Sequence, residues 1–242
     1  MVTRSFALVV FMAILTATTQ ASAPVPPLYS TVQTEKVVPN LAAVHETTFW
    51  LVSRTVTVDK NKQKVNSDKG CGATAVADNV IATATHCLVN SGEFKDVIAL
   101  DLNPVAILVR VDDGSDNSLV KVNAHLPHHT RISSHEYTWG DEVFIFGNPG
   151  TLLDMYRHGE IMGYANPATK GEGMWVIVDM NTGKGDSGSG IMNNYGEVIG
   201  TVSEIALADK REIKMPFVTA KVTSFHPFNF TKKQLKAVGL DN

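Results

Sequence analysis

Cysteine is scarce, with only Cys71 and Cys87 in 242 residues. This excludes a small scaffold held by many disulfides, and two thiols without ligand-spaced partners nearby make a poor zinc site. An excess of either charge is also missing. The formal net charge is -3 and the Lys and Arg residues are scattered, so no basic stripe points to nucleic acid or to an anionic membrane. With 19% charged and 44% hydrophobic residues, the composition is that of a globular chain rather than a disordered one. No long helical pattern alternates with the strand-like runs, which disfavours a doubly wound parallel sheet.

Long apolar runs are lacking too. The one from Phe6 to Leu15 follows Arg4 and precedes small residues, and it is too short to cross a bilayer comfortably. That layout is an export signal. Cleavage is expected after Ala21, because a cut after Ala23 would place the fixed ring of Pro24 next to the peptidase. Residues 1–21 therefore read as a signal peptide, and the proline-rich 22–44 as an extended lead-in or propeptide. The expected location is secreted or periplasmic, with no stable membrane association after cleavage and a monomeric product. In such an oxidising compartment Cys71 and Cys87 most simply pair with each other.

From His45 the chain becomes a series of short β runs. Residues 47–59, 73–77, 80–85, 96–102, 106–113 and 118–122 are rich in β-branched side chains and separated by turn formers. Residues 123–140 interrupt the series without a strand signal and read as a connection between halves. A second series covers 142–147, 155–165, 174–180, 190–206 and 216–225, with a hairpin turn at Asn193-Asn194-Tyr195-Gly196. Only 231–239 looks helical, with Thr231 as cap and Gly239 as stop. The class is all-β, either two antiparallel barrels or a sandwich.

Residues 183–190 read GKGDSGSG. A serine hydroxyl is a weak nucleophile, so acyl transfer through Ser187 needs a base to take its proton, a carboxylate to orient that base, and amide donors for the oxyanion. The amides of Gly185 and Ser187 could face one point in a tight turn, and glycine at 185 and 188 leaves room for it. Among eight histidines, His86 stands out because it ends a β-rich run and is followed at once by Cys87. A disulfide there would stiffen the support of the ring. Asp116, just before an apolar strand, is the preferred carboxylate, with Asp112 and Asp113 as competitors whose place in a turn is equally explicable.

The segments CGATAVA, VIATATHCL, DNSLVKV and GKGDSGSG, in that order, together with PFVTAKVT near the end, resemble the chymotrypsin-like serine protease family over roughly residues 45–225. The resemblance implies two antiparallel Greek-key β-barrels with a short C-terminal helix: an N-terminal barrel over 45–122, the connection over 123–140, a second barrel over 141–225, and helix and tail over 226–242. It implies a polypeptide substrate, no cofactor and no metal, and a triad of His86, Asp116 and Ser187 acting through an acyl-enzyme. The short interval from histidine to aspartate and the run FGNPG are more similar to the bacterial HtrA-type and glutamyl-type branch than to digestive enzymes. With the sequence ending at Asn242, an appended peptide-binding domain is not expected.

The same alignment places Asn181, Ser203, Ile205 and Phe217 around the primary specificity pocket. Ile205 and Phe217 fill it, so a small aliphatic residue before the cut bond is expected. Digestive members pair a freed N-terminal ammonium with the aspartate before the serine, here Asp186. No Ile-Val-Gly-Gly-like terminus is present, and a site that forms without such cleavage is preferred to one that needs a cut after Lys36. Two other classes compete. One is an inactive homologue that binds peptide by strand addition at residues 202–205. The other is a metal role for His125, His128, His129 and His135, which Pro127 opposes by breaking the helix that would align them.

Overall fold

The computed structural model describes residues 39–58, 64–88, 96–149, 152–165, 174–206 and 222–240. The expected signal peptide, most of the lead-in, and Phe217 lie outside them. The elements are α1 (Leu41–His45), β1 (Thr48–Val58), β2 (Lys64–Ala77), β3 (Val80–Ala84), a 3-10 turn over Thr85–Leu88, β4 (Val97–Leu100), β5 (Asn103–Asp112) and β6 (Asn117–Val122). There follow β7 (Glu142–Gly147), β8 (Met155–Ala165), β9 (Trp175–Val178), β10 (Gly190–Asn193), β11 (Val198–Ala206), β12 (Val222–Pro227) and α2 (Lys232–Val238).

The strands close into two antiparallel barrels. The first runs β1-β2-β3-β6-β5-β4, and the second repeats that Greek-key order as β7-β8-β9-β12-β11-β10. Pairing of β1 with β4 and of β10 with β7 closes each ring, so neither leaves an open edge. A sandwich is thereby ruled out.

Two details differ from the sequence reading. The strand expected at residue 73 begins nine residues earlier, at Lys64, because β1 and β2 continue as a two-stranded ribbon whose register runs to Val58 opposite Lys64. Polar residues along that ribbon, among them exposed Ser67 and Asp68 and half-buried Lys69, hide the strand pattern. The lead-in also ends in a helix rather than an extended segment: Asn40 caps α1 by accepting from the Ala43 amide. The C-terminal helix agrees with its signals, since Thr231 and Gln234 form a reciprocal capping box and Gly239 closes the end with a left-handed backbone.

Three apolar cores hold the molecule together. One fills each barrel and a third lies between them. Strand β7 shows how one segment serves two cores: Val143 and Ile145 point into the second barrel, whereas Phe144 and Phe146 point into the shared core. That is why it reads as an unbroken hydrophobic run rather than an alternating one. From the first barrel come Val80, Ala82 and Leu119, and the helices contribute Val44 and Val238. Buried Asn117 adds a polar staple, accepting from the Thr201 amide at 3.2 Å and hydroxyl at 2.8 Å and donating to the His226 carbonyl at 3.1 Å. Exposed, that amide would simply be solvated; buried and saturated, it fixes register between barrels.

Between β6 and β7 the chain is tied to the second barrel by the Ile132–Val198 bridge and by one buried carboxylate. Glu197, 3% exposed, accepts from Arg131 Nε at 2.5 Å, Ser133 Oγ at 2.8 Å and Asn193 Nδ2 at 3.1 Å, and it pairs with His135 Nδ1 at 2.6 Å. Burial pushes its carboxyl up, but the bonds from Asn193, His135, Ser133 and Arg131 outweigh burial and bring it from 4.5 to about 2. A folded-state value depressed in this way stabilises the protein above the unfolded value, and the contribution is lost as pH falls from 4.5 through about 2. We expect denaturant midpoints of the parent to fall across that window, while Glu197→Gln is less stable at neutral pH and loses less stability over the same fall in pH. Urea titrations of both proteins at a series of pH values measure the difference.

Candidate active site

His86 sits in the 3-10 turn that follows β3, and its surroundings fix it from three sides. Its ring Nδ1 lies 2.6 Å from Asp116 Oδ2, and its backbone amide donates to Asp116 Oδ1 at 3.0 Å. Its carbonyl accepts from Lys69 Nζ at 2.8 Å. The turn itself is secured by the Thr85 amide on the Asp116 carbonyl at 2.7 Å. Because an ionised carboxylate only accepts, Nδ1 is the donor in this contact.

Burial pushes the Asp116 carboxyl up, but hydrogen bonds from the His86 ring, Ser203 and the His86 amide outweigh it, leaving it below the ordinary carboxylate range. Asp116 is therefore ionised at neutral pH. The competing carboxylates have other partners. Asp113 shapes the turn through the Ser115 amide at 2.9 Å and Asn117 Nδ2 at 2.8 Å, and Asp112 binds Arg110 Nε at 2.8 Å and the Ser118 hydroxyl.

The glycine-rich run is a compact turn. The Asp186 amide bonds the Gly183 carbonyl at 3.1 Å and the Ser189 amide bonds the Asp186 carbonyl at 2.9 Å. Gly185 and Gly188 have φ of 103° and 83°, angles that side chains with a Cβ resist. A Cβ on Gly188 would also lie 2.3 Å from Thr83 Oγ1 and 2.4 Å from the Gly72 carbonyl oxygen, so the second barrel touches the first here with no spare space. Among the described residues, the Gly185 and Ser187 amides donate to no backbone carbonyl, and no hydrogen bond joins Ser187 Oγ to the His86 ring.

What brings the turn to His86 is a short path through β2. The Gly72 amide donates to the Ser187 carbonyl at 2.7 Å, Cys71 is bonded to Cys87, and Cys87 adjoins His86. Cys71, Cys87 and His86 also form the one group among the described residues whose potential metal-ligating atoms lie close together. Both sulfurs are spent in the disulfide, so the cluster is no metal centre.

The residues expected to wall the specificity pocket fare unevenly. The Ser203 hydroxyl donates to Asp116 Oδ2, which makes it a support of the His86–Asp116 pair as well as a candidate wall. Asn181 is exposed, and its carbonyl accepts from Arg157 Nη1 at 3.2 Å. For Ile205 the structure describes the backbone, paired with Thr223 across β11 and β12. Three partners escaped sequence reasoning: Lys69, Asn117 and Arg157. Of these only Asn117 carries a signal, an amide beside the chosen aspartate at the start of an apolar strand.

Two closed Greek-key barrels with this turn at their junction define the chymotrypsin-like class. The match to the trypsin-like peptidase domain spans residues 70–200, and the chain belongs to that family. It is by that membership a serine endopeptidase. Among solved structures, the active form of the Rv3671c protease from M. tuberculosis is 17% identical, with a TM-score of 0.60, covering 91% of this chain and 96% of that one. The HtrA-type protease AlgW with a decapeptide is 12% identical, with a TM-score of 0.58, covering 84% of this chain and 75% of that one. At such identities the likeness shows the fold alone. No curated protein matches the sequence.

A Cβ on Gly72 would lie 2.1 Å from Ser189 Oγ and 2.8 Å from the Ser189 amide nitrogen, so Gly72→Ala must displace the serine turn. We expect a loss of about 1–3 kcal/mol of stability from overpacking and roughly 100-fold slower labelling by a fluorophosphonate. Thermal melts and labelling time courses on the two proteins check this.

Proposed function

We propose that the chain is exported and cleaves polypeptides with Ser187 as nucleophile, His86 as general base and Asp116 as the carboxylate that orients and charges the ring. The observation that carries this reading is the 2.6 Å contact of His86 Nδ1 with Asp116 Oδ2, in a turn tied through the disulfide and Gly72 to the carbonyl of Ser187. Catalytic hydrogen bonds are often long before substrate binds, which accommodates the missing Ser187–His86 bond.

In this mechanism Ser187 Oγ attacks the carbonyl carbon as its proton passes to His86 Nε2. The oxygen that gains the electron pair is met by the amides of Gly185 and Ser187. Collapse breaks the C–N bond, His86 returns the proton to the leaving amine, and an acyl group remains on Ser187. Water then repeats the sequence, giving the carboxylic acid and free serine. Asp116 stabilises the imidazolium in both steps without taking its proton. Bound decapeptide in the AlgW structure supports a peptide as the ligand of the cleft.

Bulk at Ile205 and Phe217 supports a preference for a small aliphatic residue before the cut bond, with Asn181 and Ser203 as further walls. The arginine, apolar run and small residues of 1–21 support export, and among the described residues no helix is long and apolar enough to cross a membrane. We propose the N-terminal barrel, connection and C-terminal barrel as one secreted unit beginning after the lead-in.

Fluorophosphonate labelling of the purified protein tests the triad. Ser187→Ala is expected to abolish labelling and His86→Ala to slow it on the order of 1,000-fold or more, each with a native circular dichroism spectrum. Parent protein that folds yet does not label points instead to a peptide-binding module. Cleavage of a peptide library should favour Ala or Val before the scissile bond over Lys, Glu or Phe.

A further inference from the structure

A cavity of about 370 Å³ lies where the turn between β5 and β6 meets the end of β12, lined by Asp113 and Ser115 from the first barrel and by Met174, His226, Pro227 and Phe228. That is room for one aromatic group. Its backbone is tied before anything enters. Asn117 Nδ2 donates to the carbonyls of His226 at 3.1 Å and Pro227 at 3.3 Å, the Phe228 amide donates to the Ile199 carbonyl at 3.1 Å, and the Asn229 amide donates to Asp113 Oδ2 at 3.2 Å. A pocket held in this way loses little freedom on filling.

The polar groups of the walls select the occupant. Asp113 presents a carboxylate, but its oxygens already accept from the Ser115 amide and hydroxyl, from Asn117 Nδ2 and from the Asn229 amide, which leaves little to anchor a cation. His226 is not saturated. Its side chain is buried, with the ring against that of Trp175 at a centroid distance of 3.7 Å. Nδ1 lies 3.3 Å from the Met174 carbonyl, which only accepts, so Nδ1 is the donor in that contact. Nε2 has no hydrogen-bond partner among the described residues, and in a neutral ring it is an acceptor. The occupant must therefore bring a donor. Water meets the nitrogen but leaves Met174, Pro227 and Phe228 hydrated, whereas an aromatic ring bearing a hydroxyl satisfies both.

We propose that this cavity is a binding site for a phenol group, its hydroxyl donating to His226 Nε2 and its ring packing on Phe228, Pro227 and Met174. The site shares no residue with the proposed triad and does not depend on it. It is nevertheless close in the chain, since the lining turn ends at Ser115 and Asp116 follows. A free small phenol and the side chain of a tyrosine present the same chemistry.

The test titrates the full chain with p-cresol, toluene and benzylamine, and follows the nitrogen resonance of His226 Nε2, assigned by its absence from His226→Phe. Expected for the parent is a saturable shift with p-cresol, half complete near about 1 mM, and binding of toluene weaker by roughly 10-fold for want of the donor. His226→Phe, read by saturation transfer to the ligand, should weaken p-cresol by roughly 10-fold and leave toluene within about twofold. Phe228→Ala should weaken both. Binding of N-acetyltyrosinamide as tight as that of p-cresol assigns the site to a tyrosine of a polypeptide, and its exclusion assigns it to a free phenol. Toluene binding as tightly as p-cresol, benzylamine binding more tightly, or no saturable shift up to about 20 mM overturns the proposal. Should His226→Phe not fold, parental affinity for p-cresol in folded Phe228→Ala overturns it equally.

Discussion

The bond from the Gly72 amide to the Ser187 carbonyl, 2.7 Å long, joins two barrels that fold as separate rings and whose strands make no common sheet. Everything proposed for the chemistry depends on it, because the base and its carboxylate belong to one ring and the nucleophile to the other. A hydrogen bond alone contributes only about 1 kcal/mol net, too little to hold two domains in register. Here it is sheltered by the apolar core between the barrels and reinforced by Asn117, so the contact acts as a reference point while burial supplies the force.

Close approach makes that reference point narrow. On both sides of the bond the chain uses glycine where a methyl group would collide with backbone or with a buried hydroxyl, at Gly72 against Ser189 and at Gly188 against Gly72 and Thr83. Packing this tight transmits displacement rather than absorbing it. On the far side of the turn, Asp186 and Arg157 do with charge what the glycines do with space. Steric contact sets where the turn lies, and the ion pair ties Asp186 to β8.

Much of this was readable from residues. The alternation of β-branched and small residues gave the strands, and the capping signals at Thr231 and Gly239 gave α2. Cys71 and Cys87 paired as their number and the expected export suggested. Other features were hidden for physical reasons. The outer half of β2 is a ribbon with water on its sides, so nothing compels its residues to alternate. Lys69 and Arg157 are cations in strands of mixed polarity, and their partners lie at sequence distances no local pattern encodes. Ser203 was legible as a residue of the site, but its hydroxyl on Asp116 was not, because the bond joins a strand of one barrel to a turn of the other.

The disulfide has a meaning beyond stiffness. It closes a short loop, 16 residues from end to end, and by loop-closure entropy is worth about 3 kcal/mol against the unfolded chain. It also lies on the covalent path from the imidazole to the strand that receives the serine turn. A newly made copy among reducing thiols lacks that link, so base and nucleophile are held together by weaker forces until the sulfurs are oxidised. With the sulfurs reduced, the Gly72–Ser187 bond and the packing between the barrels alone would hold the turn beside the imidazole.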